Sequence, residues 1–534
     1  MNVIYSCCVA DPFLDVAVNL QKQYGLNPVY WVGDKSSSRE GDDTESLVKK
    51  SFPSCVFHNY YDAWHGIFPT EIENAGADTY VDVDFLRKFS SEELQSFAMM
   101  NRLDFNRQSF NTMERERYFI RLVKYWTACL DKYKPVCVIG ARTPHRVFDY
   151  VLYLLCQYRN IPVTSFQYAA SFKRNLCMTG FSDPGKINSL IEDRYRYYLE
   201  KKDIDINGLP EDVRLNFVKT KSNYTVARPD YMKKHDVHDK QVHNPLFLIK
   251  QFFSSNHFFG EKSIFVNGAK RNIYKSSKHV IESTHFSVFE WYSERIAANK
   301  YKKRLLKMYQ ELAAPVDTSV PYVAFYLHYQ PEVTTSPIGD IFVNQQLCIE
   351  MLLKYTPENY MVYVKEHPTQ FMYHTLGHTC RIVDFYKDLS RYSRVRIVPL
   401  EMDSFELMQN AKAISTVTGT VGWEALLHRK PVIMFGQVWY EAMRNILRVT
   451  DEQSASKIKD FIETYQYDEH AILAYLYAIS DVTIMAYHYD GFKKNSGITK
   501  NECVENITQA LSKLLETIII NNDVLHNERN PRVS

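Results

Sequence analysis

Nothing in this chain runs apolar for the roughly 18 or more residues that a bilayer-spanning helix needs. Met1-Asn2 leads straight into Val3-Ile4-Tyr5 with no basic start and no cleavage site, so neither a membrane span nor a secretory leader is expected. An excess of one charge is missing too. With 64 Lys and Arg against 62 Asp and Glu the net charge is +2, which offers nucleic acid no global attraction, although basic residues crowd Lys300 to Lys307. The 10 cysteines lack metal-ligand spacing, and the adjacent Cys7 and Cys8 read as small buried hydrophobes inside an apolar strand, which suits a reducing cytoplasm. No Gly-rich Walker loop, H-E-x-x-H or G-x-S-x-G is present, which argues against P-loop NTPases, zincins and α/β-hydrolases. Internal repeats and low-complexity tracts are absent as well.

What is present is an ordinary globular composition, 45% hydrophobic and 24% charged, spread over 534 residues. That length exceeds one compact core, so two domains are expected, at 1–280 and 281–534. Aromatics reach 14%, and core and surface packing accounts for most of them before any stacking on sugar rings is invoked. Strand-like and helix-like pieces alternate: Asn2 to Ala10, Pro12 to Tyr24 and Pro28 to Val32, then, after a helical region from Ser90 to Asp131, Pro135 to Gly140, Pro144 to Tyr158 and Ile161 to Gln167. From Tyr195 to Ser276 the periodicity weakens around an aromatic cluster at Phe247 to Phe259, read as an irregular excursion. A helix from His285 to Leu312 opens the second half. Strands follow at Tyr322 to Tyr329, Tyr360 to Lys365, Val395 to Pro399, Ala413 to Thr416 and Pro431 to Phe435, with helices between them. Such β-α-β alternation predicts an α/β fold of two Rossmann-like, doubly wound domains facing across a cleft, with ligands at the carboxyl ends of the strands. The tail after Asn521 reads as polar and loose.

Two segments at such strand ends carry chemistry. Lys365-Glu366-His367-Pro368 closes one strand, and Ser415-Thr416-Val417-Thr418-Gly419-Thr420 links another to a helix that carries Glu424. A hydroxyl-rich turn ahead of a helix presents backbone N–H groups to an anion, and the helix N-terminus adds about half a positive charge. A phosphate fits there, with Glu424 placed in the first helical turn to hold a ribose and His367 to donate to a phosphate oxygen. The plainer alternatives are a histidine that caps the next helix with Pro368 in its first turn, and threonines that cap theirs. Glu332, beside Gln330 in Leu327-His328-Tyr329-Gln330-Pro331-Glu332, can bind the donor sugar, act as a base or cap the following loop; Gln330 suits sugar hydroxyls. In the first half, His145 and Asp149 stand four apart after Thr143-Pro144 and so share a helix face, able to meet an acceptor, supply a base or nucleophile, or simply pair on the surface. Asp82-Val83-Asp84 has the form of a metal-holding pair but reads better as a helix cap, and no metal is expected.

Leu327 to Glu332, Lys365-Glu366-His367-Pro368 and Thr418 to Leu426, followed by Lys430-Pro431-Val432-Ile433 and Phe435-Gly436, resemble bacterial capsule polysaccharide biosynthesis proteins, relatives of the transferases that add Kdo and other nonulosonic acids. The resemblance is clearest over 320–440. It implies a glycosyltransferase B fold and a CMP-activated acidic sugar as donor, with no separate cofactor. It further implies that His367, Pro368, Ser415, Thr416, Thr418 and Thr420 contact the CMP phosphate, that Glu424 holds the ribose, and that Glu366, Gly419 and Gln330 belong to the same site. Some relatives use a carboxylate of the N-terminal domain as nucleophile, for which Asp149 is the candidate. The acceptor implied is an oligosaccharide or lipid-linked surface glycan, met in the cytoplasm or peripherally at the inner membrane beside the assembly machinery. A UDP-sugar transferase or epimerase, and a non-catalytic capsule assembly or export protein, are the alternatives.

Overall fold

A computed structural model describes the chain apart from residues 35–37, 40–41, 105–106, 108–109, 170, 173, 180–188, 223–269, 275–284, 374, 489–492, 494–495 and 530–534. The aromatic cluster at 247–259 lies outside the described residues. Two large sheets organise the remainder. One takes β1 Asn2–Ser6, β2 Asn27–Gly33, β3 Val56–Asn59, β4 Cys137–Gly140, β5 Val163–Ala169 and β6 Arg174–Thr179. The other takes β7 Tyr322–Tyr326, β8 Met361–Lys365, β9 Val395–Ile397, β10 Ala413–Thr416, β11 Val432–Met434 and β12 Ile446–Arg448, and β13 Thr483–Ile484 then returns to the first.

The second sheet is parallel throughout, in the order β9-β8-β7-β10-β11-β12. Parallel strands are joined by crossover helices that cover both faces, so they tolerate unbroken apolar runs. β7, Tyr-Val-Ala-Phe-Tyr, is buried over its first four residues, and β10, Ala-Ile-Ser-Thr, over all four. The first sheet runs β13-β6-β5-β4-β1-β2-β3, parallel except where β6 pairs antiparallel with β5 and β13. In each sheet the chain order reverses direction once, between β4 and β1 in the first and between β7 and β10 in the second. Open α/β sheets bind ligands outside the carboxyl ends of the strands at such a switch point. The α/β class and the two Rossmann-like units are thus as expected.

Several boundaries differ. The chain divides into Met1–Glu93 with Arg117–Lys201 and Leu476–Ser534, and Leu94–Glu116 with Lys202–Tyr475, not at 280/281. The return has a physical reason: Thr483 and Ile484 pair with Leu176 and Asn175, and the helix Lys500–Arg529 sinks Val504, Ile507, Leu511 and Leu515 into the core that holds Phe13, Ala17 and Leu20. That helix also takes in the stretch beyond Asn521, expected to be loose. The first strand ends at Ser6, so Cys7 sits in a turn with φ 58° while Cys8 is buried. Ser90–Met99 and Thr112–Tyr133 are separate helices. Asp82 accepts from the amides of Asp84 and Phe85 at the start of Val83–Lys88. Within the basic stretch, Lys302 is buried, its ammonium on the carbonyls of Met372, Tyr373 and Thr375 at 2.6, 2.8 and 3.0 Å. No helix among the described residues is long and apolar enough to cross a membrane.

Candidate functional site

At the switch point of the second unit the ends of β8, β7 and β10 lie side by side. The residue at the centre is His328, just past β7, which was passed over as a site residue. Its Nε2 lies 3.0 Å from the Thr418 amide and 3.0 Å from Thr416 Oγ1. Because the amide can only donate, Nε2 must hold a lone pair and the ring proton sits on Nδ1. Burial brings the His328 pKa down to about 3, and His367 and Arg381 lie near enough to add to the penalty on charging it. The imidazole is a neutral strut for the turn.

The hydroxyls of Ser415, Thr416 and Thr418, expected at a phosphate, make bonds within the unit that build the turn. Ser415 Oγ donates to the Ile433 carbonyl on the neighbouring strand at 3.1 Å and is fully buried. Thr416 Oγ1 accepts from the Gly419 amide at 3.2 Å, and Thr418 Oγ1 donates to the Thr334 carbonyl at 2.8 Å. A side chain on Gly419 would put its Cβ 2.7 Å from Thr416 Oγ1, so close packing requires glycine here. The Tyr440 hydroxyl donates to the Gly419 carbonyl. What faces outward is the start of the helix Thr420–Leu427, where the Gly422 amide bonds the Gly419 carbonyl at 3.0 Å and the Thr420 and Val421 amides precede the helical ladder, together with the half-buried Thr420.

Glu424 lies one residue further into that helix than expected, four residues after Thr420 and on its face. It is 7% exposed, and burial pushes its carboxyl up to about 8 against a hydrogen bond from Thr420 that lowers it. At neutral pH the group is therefore largely protonated.

Beside the end of β8, Glu366 and Gln330, both expected in the site, are bonded to groups of the same unit. Glu366 accepts from Arg381 Nε at 2.9 Å, from the Tyr386 hydroxyl at 2.7 Å and from the His367 amide at 2.9 Å. Gln330 donates to the Val343 carbonyl at 2.8 Å and accepts from Arg381, which also reaches the His328 carbonyl at 3.2 Å. Arg381 thereby ties the ends of β7 and β8 together, and nothing in the motif reading pointed to it. Lys365 is likewise inward, on the carbonyls of Pro399, Leu400 and Met402. His367 caps the short helix Pro368–Phe371, its Nδ1 accepting from the Thr369 amide at 3.2 Å, so a neutral ring carries its proton on Nε2; it is half-buried and Pro368 is exposed. Glu332 is half-buried, accepts from Thr334 Oγ1 at 3.1 Å, and has its carboxyl raised by burial. The Thr334 bond to Thr418 places this loop against the 416–420 turn.

In the first unit the helix starts at Val147, so His145 precedes it and shares no helical face with Asp149. His145 Nδ1 lies 2.7 Å from the Thr143 carbonyl. Asp149 is 4% exposed with both oxygens engaged, Oδ1 by the Arg146 amide at 2.7 Å and Oδ2 by the Cys7 thiol at 3.4 Å. Burial lifts its carboxyl to about 6 and the Cys7 thiol to about 12. A carboxylate so enclosed caps its helix and is not presented as a nucleophile.

A doubly wound unit with loops gathered at its switch point has the general form of an α/β domain that takes a ligand at the carboxyl ends of its strands. Residues 338–489 match the family model described as capsule polysaccharide biosynthesis protein, in agreement with the resemblance drawn from the motifs. The match contains His367, the 415–420 turn and Glu424, and begins after Glu332. No curated protein matches the chain. Among solved structures, it is similar to Thermosulfurimonas dismutans KpsC, as a beta Kdo 2,7 transferase (15% identity, 42% of this chain and 67% of that one, TM-score 0.21). It is similar too to the beta Kdo 2,4 transferase of the same protein (15% identity, 34% and 55%, TM-score 0.21), so it spans about half of that chain. UDP-GlcNAc 2-epimerase from Neisseria meningitidis bound to UDP-GlcNAc is a third (12% identity, 97% and 100%, TM-score 0.22).

Proposed function

We propose that the chain is a glycosyltransferase that moves a sugar, a nonulosonic acid of the Kdo, pseudaminic or sialic type, from CMP to a surface polysaccharide or glycolipid. The observation that carries this reading is that one stretch of family-matched sequence supplies both the outward helix start at Thr420 and the buried Glu424 behind it. A phosphate on the first-turn amides gains about 0.3–2 kcal/mol from the helix dipole. Glu424, protonated at neutral pH, can hydrogen-bond a ribose hydroxyl without repelling that phosphate. His367 Nε2 supplies a further donor from the β8 end, and the leaving phosphate is stabilised by these donors acting together rather than by a metal. We assign the role of base to Glu332. The reaction belongs to the cytoplasm or the inner-membrane surface, where the glycan is assembled.

The test is release of CMP from CMP-Kdo by the purified chain in EDTA, with calorimetry of CMP against UDP. Failure to bind CMP sinks the donor assignment, and preference for UDP transfers it to UDP-sugars.

A further inference from the structure

The first unit has a switch point of its own, between β1 and β4, and the groups that stand there are left unused by the nucleotide site. Arg142, just beyond β4, donates one guanidinium N–H to the Tyr60 hydroxyl at 3.1 Å, yet its Nε is buried with no acceptor. Arg146 lies over the Trp64 ring, its guanidinium carbon 4.2 Å from the ring centre, and its Nε is buried without an acceptor as well. The Trp64 indole N–H is a third such donor. Tyr60 and Trp64 have ring centres 6.0 Å apart, so the three donors gather around one aromatic pair.

Buried donors in folded proteins almost always find acceptors, and buried cations find counter-charges. Elsewhere in this unit arginines do so: Arg121 pairs with Glu73, and Arg159 with Asp131 at 2.6 Å. Among the described residues Arg142 and Arg146 have no ion-pair partner. Asp149 attracts both guanidinium groups and Cys7 interacts with Arg142, but neither accepts from the two buried Nε–H groups. The cavity bordered by Cys7, Arg142 and Asp149 measures about 10 Å³, room for a water and nothing larger. A ligand must therefore approach from the half-buried outer side of Arg142 and Arg146. Two planar cations match the oxygens of a carboxylate or phosphate, and the rings beside them match the apolar face of a sugar.

We propose that the β1/β4 switch point binds an oxyanion borne on a sugar, a carboxylate or a phosphate monoester, through the terminal guanidinium N–H groups of Arg142 and Arg146 on their outer side. Naming this glycan as the acceptor rests on the glycosyl-transfer reading; the binding itself does not. The test is calorimetry of the full chain with sodium glucuronate, glucose 6-phosphate and glucose. One or both anions bind saturably, their relative strength identifying carboxylate or phosphate, while glucose gives no saturable heat. Arg142→Gln and Arg146→Gln each weaken the anion at least tenfold, Arg142→Lys weakens it less, and CMP binding is unchanged in all three. Should Arg142→Gln fail to fold, Arg146→Gln and the melting-temperature rise of the wild type with glucuronate decide the matter. Equal binding of glucose and glucuronate, no saturable binding of either anion, or unchanged affinity in the glutamine variants overturns the proposal. A wild type that ignores CMP while holding glucuronate breaks the donor assignment alone.

Discussion

Arg381 Nε lies 2.9 Å from Glu366 Oε2, and the two side chains are 3% and 0% exposed. With Tyr386 on the same carboxylate and the His328 carbonyl and Gln330 on the same guanidinium, this pair locks two strand ends in register. Arg381→Ala leaves a buried carboxylate without its partner, and such losses cost about 3–5 kcal/mol. Urea unfolding should show that drop as a lower midpoint at unchanged slope. Arg381→Lys keeps the charge but lacks the planar fork that reaches both loops, so it should recover only part of the stability.

Ser415 and Thr420 separate a hydroxyl that builds the turn from one that faces outward. Ser415→Ala removes a buried bond to Ile433 and should cost about 0.5–1.5 kcal/mol of stability, leaving CMP affinity untouched. Thr420→Ala should lose roughly fivefold in CMP affinity, about 1 kcal/mol, and should lower the unfolding midpoint as well because the buried Glu424 loses its donor. Calorimetry and urea titration on both variants read the contrast directly. Equal affinity loss in the two would mean that the turn acts through its shape alone.

Glu424 sets a pH dependence with a definite sign. Its carboxyl is raised in the fold to about 8, so its contribution is full below the unfolded value near 4.5 and is lost as pH rises through about 8. Glu424→Gln does not titrate, so the variant should gain on the wild type across that window, by an amount on the order of a few kcal/mol. The histidines His58, His328 and His488, lowered by burial to about 4, 3 and 3, act oppositely: their contribution is full above about 6.5 and fades as the solution is acidified. Thermal melts from pH 4 to 9 should therefore show Glu424→Gln pulling away from the wild type between about 4.5 and about 8 and running parallel to it above that.

The two α/β units were legible in the sequence because parallel strands buried on both faces leave short apolar runs separated by helical periodicity, as in Tyr322–Tyr326 and Ala413–Thr416. The turn at 415–420 and His367 at a strand end were legible for the same reason, since position after a strand can be read locally. What the side chains do there could not be read. Ser415, Gln330 and Glu366 look like ligand groups by type, but long-range partners at Ile433, Val343 and Arg381 had already claimed them. His328 was hidden inside a motif quoted for its neighbours, and its role emerges only when β7 and β10 lie adjacent. A helix start placed at Pro144 instead of Val147 was enough to pair His145 with Asp149 wrongly.

The return of the chain's end to the first unit was invisible for a related reason: β13 is two residues long, and its antiparallel partner lies some three hundred positions earlier. It nevertheless makes a direct prediction. A chain ending at residue 280 lacks β13 and the helix that buries Val504, Ile507, Leu511 and Leu515. Full burial of an aliphatic side chain is worth about 1.5–3 kcal/mol, so losing four of them, about 6–12 kcal/mol, is comparable to the roughly 5–15 kcal/mol by which ordinary domains are stable. The truncated chain should be unfolded or aggregated, with no cooperative melt by circular dichroism. Supplying residues 476–529 in trans, or fusing them through a flexible linker, should restore a cooperative transition. A cooperative melt of 1–280 alone would show that the returning segment is an accessory layer and not part of the core.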